Sequence, residues 1–187
     1  MLKKTAILFM FVLSVFLYGK QKVYSVKQNL WWLEHKMSLK QFNTMKKIWR
    51  YAKPYNLQWT ATAIAWQESH FGEQLHNLAD PSCGIFHQLL PDLADRYGIP
   101  ANMWNQSRLC DDLMNFDFAF KTFIDTFHIK ENICYNKGYK SGPSNWVCAV
   151  KAYNTYGNWY YYKNIVNKIK ALKIWLKKNE IDLNKEG

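Results

Sequence analysis

The chain has 187 residues with 25 basic and 14 acidic side chains, a formal net charge of +11, and 9 Trp, 12 Tyr and 11 Phe. Gly and Pro supply only 13 residues while 49% are hydrophobic, which excludes collagen-like, linker-type and disordered chains and leaves one cored domain as the natural reading. The basic excess points to an anionic partner (nucleic acid, membrane surface or cell-wall polymer) without choosing among them.

Met1-Leu2-Lys3-Lys4 is short and basic, and Thr5 to Tyr18 is a 14-residue apolar run. That is the layout of a secretory leader, since a spanning helix needs ~20 residues. The expectation is a signal peptide or N-terminal anchor over 1–19 and a mature domain over 20–187. Cleavage after Gly19 leaves 168 residues carrying +9.

Ser38-Leu39-Lys40-Gln41 has the form of a capping box and opens a helix with Phe42, Met45, Ile48, Trp49 and Ala52 on one face, ended by Pro54. Leu57 to His70 is rich in Ala and apolar residues around Ile64, a helix buried on most sides. Residues 71–90 hold Gly72, Asp80-Pro81 and Cys83-Gly84 and carry no period, so they read as loop or short strand. Pro91 to Tyr97 is a short helix stopped by Gly98. Ser107 is placed to cap a helix with Leu109, Leu113, Phe116, Phe120, Phe123, Ile124 and Phe127 inward. Gly138 to Gly142 is a loop, and Ser144 caps a helix running to about Tyr153. Asn158 to Lys178 is the longest amphipathic stretch, with Ile165, Val166, Ile169, Leu172, Trp175 and Leu176 as its buried stripe. The expected fold is all-α with little or no β structure.

Cys83, Cys110, Cys134 and Cys148 are even in number and lie beyond the leader, which fits two disulfides in an oxidising compartment. Of three connectivities, Cys83–Cys110 with Cys134–Cys148 is favoured, because each closes a loop-rich stretch between helical segments. No CxxC occurs, which argues against a zinc ribbon. His70, His76 and His87 gather near Cys83, but no HExxH is present, so no metal and no cofactor are expected.

Charge is uneven. Residues 66–127 hold three basic and nine acidic side chains, a net of −6, which leaves +17 on the rest. A nucleic-acid binder lines its recognition element with Lys and Arg. Here the segment holding the unusual residues is acidic, so nucleic acid is not the expected partner. The row Lys163, Lys168, Lys170, Lys173, Lys177 and Lys178 reads as a solvated helix face, and secondarily as a patch for anionic wall polymer.

Within Ala65-Trp66-Gln67-Glu68-Ser69-His70-Phe71-Gly72, Glu68 stands near the end of an apolar helix. The unsatisfied carbonyls of a helix C-terminus, and apolar neighbours such as Trp66 and Phe71, would raise its pKa and suit it to general-acid work.

Glu68-Ser69 after the Ala-rich helix resembles the catalytic Glu-Ser motif of soluble lytic transglycosylases, the goose-lysozyme-like branch of the lysozyme superfamily. Tyr55-Asn56-Leu57 with Thr60, Ile64 and Ala65 is similar to that family's lead-in helix. Gly84-Ile85-Phe86-His87-Gln88-Leu89-Leu90-Pro91 resembles its Gly-Leu-Met-Gln motif, and Ala152-Tyr153-Asn154-Thr155-Tyr156-Gly157 its Ala-Tyr-Asn-x-Gly motif. Asn115 ahead of a long helix fits the same plan, and the order and spacing agree over about residues 45–175. Both later motifs carry one extra residue. His87 stands at the Gln position counted from Gly84, and Gln88 at that position counted back from Pro91.

The resemblance implies a lysozyme-like helical domain that cleaves the β-1,4 bond between N-acetylmuramic acid and N-acetylglucosamine in peptidoglycan. Glu68 would be the catalytic acid and then the base on the muramoyl C6 hydroxyl, giving 1,6-anhydro ends. Ser69, Gly84, Ile85, Phe86, His87, Gln88, Tyr153 and Asn154 would bind substrate, Ser69 positioning Glu68 or an acetamido group and Asn154 securing the local backbone. If water attacked instead, Asp80 and Asp92 are the candidate bases by position. A wall-binding module without turnover is the alternative. The aromatic cluster of Tyr153, Tyr156, Trp159, Tyr160, Tyr161 and Tyr162 is expected to split between sugar stacking and packing. The chain is expected to be an exported monomer of the periplasm or cell envelope, meeting peptidoglycan strands and adhering to a wall or membrane surface.

Overall fold

A computed structural model describes residues 22–77, 79–154 and 158–184. The leader assigned to 1–19, and Thr155, Tyr156 and Gly157 of the third motif, lie outside them. Among the described residues the fold is all-α: α1 (Val26–His35), α2 (Leu39–Ala52), a 3-10 turn (Lys53–Tyr55), α3 (Gln58–Ser69), β1 (Ser82–Cys83), β2 (Gln88–Leu89), α4 (Leu90–Arg96), α5 (Met103–Asp112), α6 (Phe116–Asn136), α7 (Pro143–Tyr153) and α8 (Trp159–Lys178). None of these helices is long and apolar enough to cross a membrane.

Reciprocal capping boxes start the first two helices. The Gln28 and Gln41 amides donate to the Ser25 and Ser38 hydroxyls, while the glutamine side chains accept from the serine N–H groups. The α1 segment carries no expected element from its sequence. It is nonetheless a helix, packed on α8 through buried Leu33 and Asn29. The N–H of Tyr24 donates to Asn164 Oδ1 at 2.8 Å, and Asn164 returns a bond to the Lys22 carbonyl at 2.9 Å.

Helix α3 is buried without interruption from Thr60 to Trp66 and packs between α2 and α8. Its C-terminus is wound shut by His70, Phe71 and Gly72, all left-handed at φ +50°, +60° and +89°. The Phe71 N–H reaches back to the Ala65 carbonyl, which stops the helix one residue beyond Glu68. Phe86 stacks on Phe123 of α6 at 4.3 Å, and Trp66, Phe86, Phe123, Phe127, Met45, Ile48 and Ile64 are fully buried in one core.

Two helix starts differ from expectation. Asn102 caps α5 by accepting from Asn105 N–H, so Ser107 lies exposed in mid-helix; Asn115 opens α6 afresh, accepting from Asp117 and Phe118 N–H. Helix α7 begins without a side-chain cap. Gly142 at φ +106° turns the chain and Pro143 occupies the first turn, so Ser144 is already helical. The disulfides pair Cys83 with Cys110 and Cys134 with Cys148, as favoured from the sequence, joining β1 to α5 and α6 to α7.

The Lys row on α8 is not one solvated face. Lys163, Lys170, Lys173, Lys177 and Lys178 are exposed, but Lys168 is buried at 5% exposure. Its position falls on the inward stripe with Ile165 and Leu172, under α1 and α3. Its Nζ lies 4.2 Å from the centroid of the Trp66 ring and 3.4 Å from Asn29 Oδ1.

Candidate active site

Glu68 occupies the last turn of α3, at the wall of a cleft of about 310 Å3. Its side chain is 17% exposed. Oε1 accepts a 2.6 Å hydrogen bond from the Tyr161 hydroxyl, and Oε2 stands 3.6 Å from His87 Nδ1. The apolar neighbours expected around Glu68 are elsewhere. Residues two apart on a helix point to opposite sides, so Trp66 turns into the core against Trp32 and Phe71 while Glu68 faces the cleft.

Tyr161 is buried on the inner face of α8, whereas Trp159 and Tyr160 are exposed and Tyr162 is half-buried, so the aromatic run divides. Burial, and then the charge of Glu68, push the Tyr161 phenol well above its ordinary pKa, so it remains a donor. Tyr153 behaves alike for the same two reasons. The two rings stack with centroids 6.4 Å apart.

The second motif is a hairpin. Cys83 pairs with Gln88 and Ser82 with Leu89, leaving Gly84, Ile85, Phe86 and His87 as its loop. Gly84 has φ +79°, and a Cβ there would lie 3.0 Å from both Cβ and O of Leu113, so any side chain at this position is both strained and crowded. Ile85 and Phe86 are buried in the core. His87 is also left-handed, at φ +44°. The hairpin register places both His87 and Gln88 on the cleft. Gln88 Nε2 donates to the Tyr153 hydroxyl at 2.7 Å, Gln88 Oε1 accepts from Thr126 at 2.6 Å, and the Tyr153 hydroxyl donates to the Phe86 carbonyl at 3.0 Å. Second and third motifs are thereby tied together.

Ser69 lies elsewhere. It is fully buried, its hydroxyl 2.7 Å from the Ile85 carbonyl and accepting from Gly72 N–H, so it pins the end of α3 to the hairpin loop rather than facing the cleft. Asn154 caps the C-terminus of α7 and lines the cleft. Asp80 and Asp92 line it too, with Asp95, Arg96 and Lys130.

His87 is held above its usual pKa. Burial works against the charged ring, but Glu68 and the Gln74 carbonyl, 2.7 Å from Nε2, outweigh it. Lys168 is pushed the other way, to about 7, by burial that the Glu68 charge only partly offsets. Burial also lowers His70. His76 stands 3.6 and 3.5 Å from the sulfurs of Cys83 and Cys110, which are joined in a disulfide and are not the thiolates a metal takes as ligands.

Thr126 and Lys168 were not singled out as site residues by the sequence, and Tyr161 only as one of an aromatic cluster expected to split between sugar stacking and packing. Tyr161 stands in phase with Ile165, Lys168 and Leu172 along α8, the one signal that separates it from the tyrosines beside it. Compared with protein-family models, curated proteins and solved structures, the chain matches none.

Proposed function

We propose that this chain is a peptidoglycan-cleaving enzyme of the lytic transglycosylase type, with Glu68 as its single catalytic carboxyl group. The observation that carries the reading is the setting of Glu68. It ends a rigid buried helix, is gripped by the Tyr161 hydroxyl at 2.6 Å, and opens on a cleft where His87, Gln88 and Tyr153 converge.

Protonated Glu68 gives its proton to the glycosidic oxygen as the C1–O bond breaks and an oxocarbenium-like centre develops. The carboxylate then takes the proton of the muramoyl C6 hydroxyl, whose oxygen closes on C1 to give the 1,6-anhydro end. No water is consumed and no second carboxylate is required. Gln88 and Tyr153, locked to each other, supply fixed polar groups along the glycan. Asp80 and Asp92 on the same cleft favour a second reading, a muramidase in which one of them activates water. Two disulfides support export to an oxidising compartment such as the periplasm or cell envelope.

The test is digestion of purified peptidoglycan by wild type and Glu68→Gln, with fragment masses read by mass spectrometry. Anhydro-ended fragments that vanish in the variant are expected. Water-ended fragments make it a muramidase, and no fragments from folded wild type make it a wall-binding module.

A further inference from the structure

We propose that Glu68 and His87 hold one proton between them, His87 being the positioning residue that keeps the acid's proton in the cleft at neutral pH; this rests on the reading of Glu68 as the acid. The inference starts from the nitrogen that does not face Glu68. His87 Nε2 is 2.7 Å from the Gln74 carbonyl, and a carbonyl only accepts, so Nε2 carries a hydrogen. That leaves Nδ1, 3.6 Å from Glu68 Oε2, as the nitrogen that gains and loses a proton. The other carboxylate oxygen is already committed, because Oε1 accepts from a phenol that stays protonated. Oε2 is therefore the oxygen left open to a proton on Glu68, and it faces Nδ1 at ion-pair distance.

The backbone supports a purpose for this contact. A left-handed residue other than Gly is uncommon, Asn, Asp and His adopting it most readily, and such a backbone persists where the surroundings over-determine it. At φ +44°, directly before β2, His87 is turned off the hairpin toward the end of α3. Its side chain is 8% exposed, so water does not compete freely for the shared proton.

Other charged groups face the pair from each side. Asp80 acts on His87 from the preceding loop and favours the charged ring, and His70 interacts with it from the C-cap of α3. Lys168 on α8 feels Glu68 through space, as do the phenols of Tyr153 and Tyr161. Asp92, Asp95, Arg96 and Lys130 line the same cleft.

Through a turnover the proton count balances. One proton leaves Oε2 for the departing glycosidic oxygen, the C6 hydroxyl proton returns to Oε2 as the C1–O6 bond forms, and the pair again holds one. Between turnovers that proton rests on either partner. It is lost to solvent only when the pair as a whole gives it up.

His87→Asn tests this, since Asn tolerates the left-handed backbone and removes the ring. On peptidoglycan, the alkaline limb of kcat is expected to move down by about one pH unit or more, so that whatever loss is seen at about pH 5 deepens by about a further tenfold at about pH 7.5. An equal loss at every pH, or an unmoved limb, overturns the proposal. A second measurement needs no turnover: nitrogen NMR of the His87 ring in the full chain, with and without Glu68→Gln. The expected result is a hydrogen on Nε2 and a midpoint that falls in the Glu68 variant. A neutral ring carrying its hydrogen on Nδ1, or an unchanged midpoint, sinks the shared proton. If the midpoint moves as expected but wild type cleaves no peptidoglycan, the pair stands and only the enzymatic reading fails.

Discussion

The hydroxyl of Tyr161 on α8 lies 2.6 Å from Oε1 of Glu68 on α3, across 93 residues of chain. Tyr161→Phe keeps the buried ring and removes only this bond. A hydrogen bond to a charged group contributes about 1.5–3 kcal/mol to stability, so the melting temperature is expected to fall by several degrees, and kcat on peptidoglycan, measured where the variant is folded, by about 10- to 100-fold. Full activity in the variant would remove Tyr161 from the site.

Lys168 gives stability a distinctive pH dependence. Its folded pKa of about 7 lies below the ordinary 10.5, so between those values the unfolded chain binds a proton that the folded chain does not. Its contribution therefore becomes more favourable as pH rises through this window, and its penalty is full below about 7. Lys168→Met should stabilise most at or below neutrality, by up to an order of 5 kcal/mol less any loss of its contacts with Trp66 and Asn29, and the gain should shrink toward about pH 10. Urea titrations of both proteins at several pH values decide it; a gain constant with pH contradicts a buried titrating amine.

Gly84→Ala places a methyl group 3.0 Å from Leu113 at a φ of +79°. The strain is expected to cost about 1–3 kcal/mol. Because the hairpin loop carries His87, activity should fall beyond what the lost stability explains. Thermal melts beside rates at a temperature where the variant is folded measure the two effects separately. An unchanged melting temperature would mean that the loop yields.

The disulfides are open to a direct count. Thiol alkylation of the unfolded chain without reductant should label no cysteine, and four labels would contradict both bridges. Cys83→Ala combined with Cys110→Ala opens a link between residues 27 apart and is expected to cost about 3 kcal/mol in denaturant titrations.

Features written locally were legible in the sequence. The Ser38–Gln41 box, the Ala-rich course of α3 and the Gly84 turn each depend on a few neighbouring residues, and each is found. Breaks inside a continuous apolar pattern were not. The run from Leu109 to Phe127 keeps its period through Leu113–Asn115, so periodicity joins α5 to α6; Asn115 ahead of a long helix is legible only through the resemblance, and Asn102 not at all. Lys168 was read as solvated because its burial depends on α1, whose inward residues include the polar Asn29. The His87–Glu68 contact needs a left-handed backbone at His87, which His tolerates but nothing in its neighbours announces, so Gly84-Ile85-Phe86-His87-Gln88 left open which side chain faces the acid.

The long separation between Glu68 and Tyr161 also bears on when the chain becomes active. Contacts this distant in sequence are made only after the later segment has been synthesised. A nascent chain ending before α8 has Glu68 and the hairpin but neither the phenol that grips the acid nor the surface of α8 on which α3 packs. If Glu68 is the acid proposed above, the polypeptide is harmless to a glycan while it is being made, and its chemistry begins once α8 is in place.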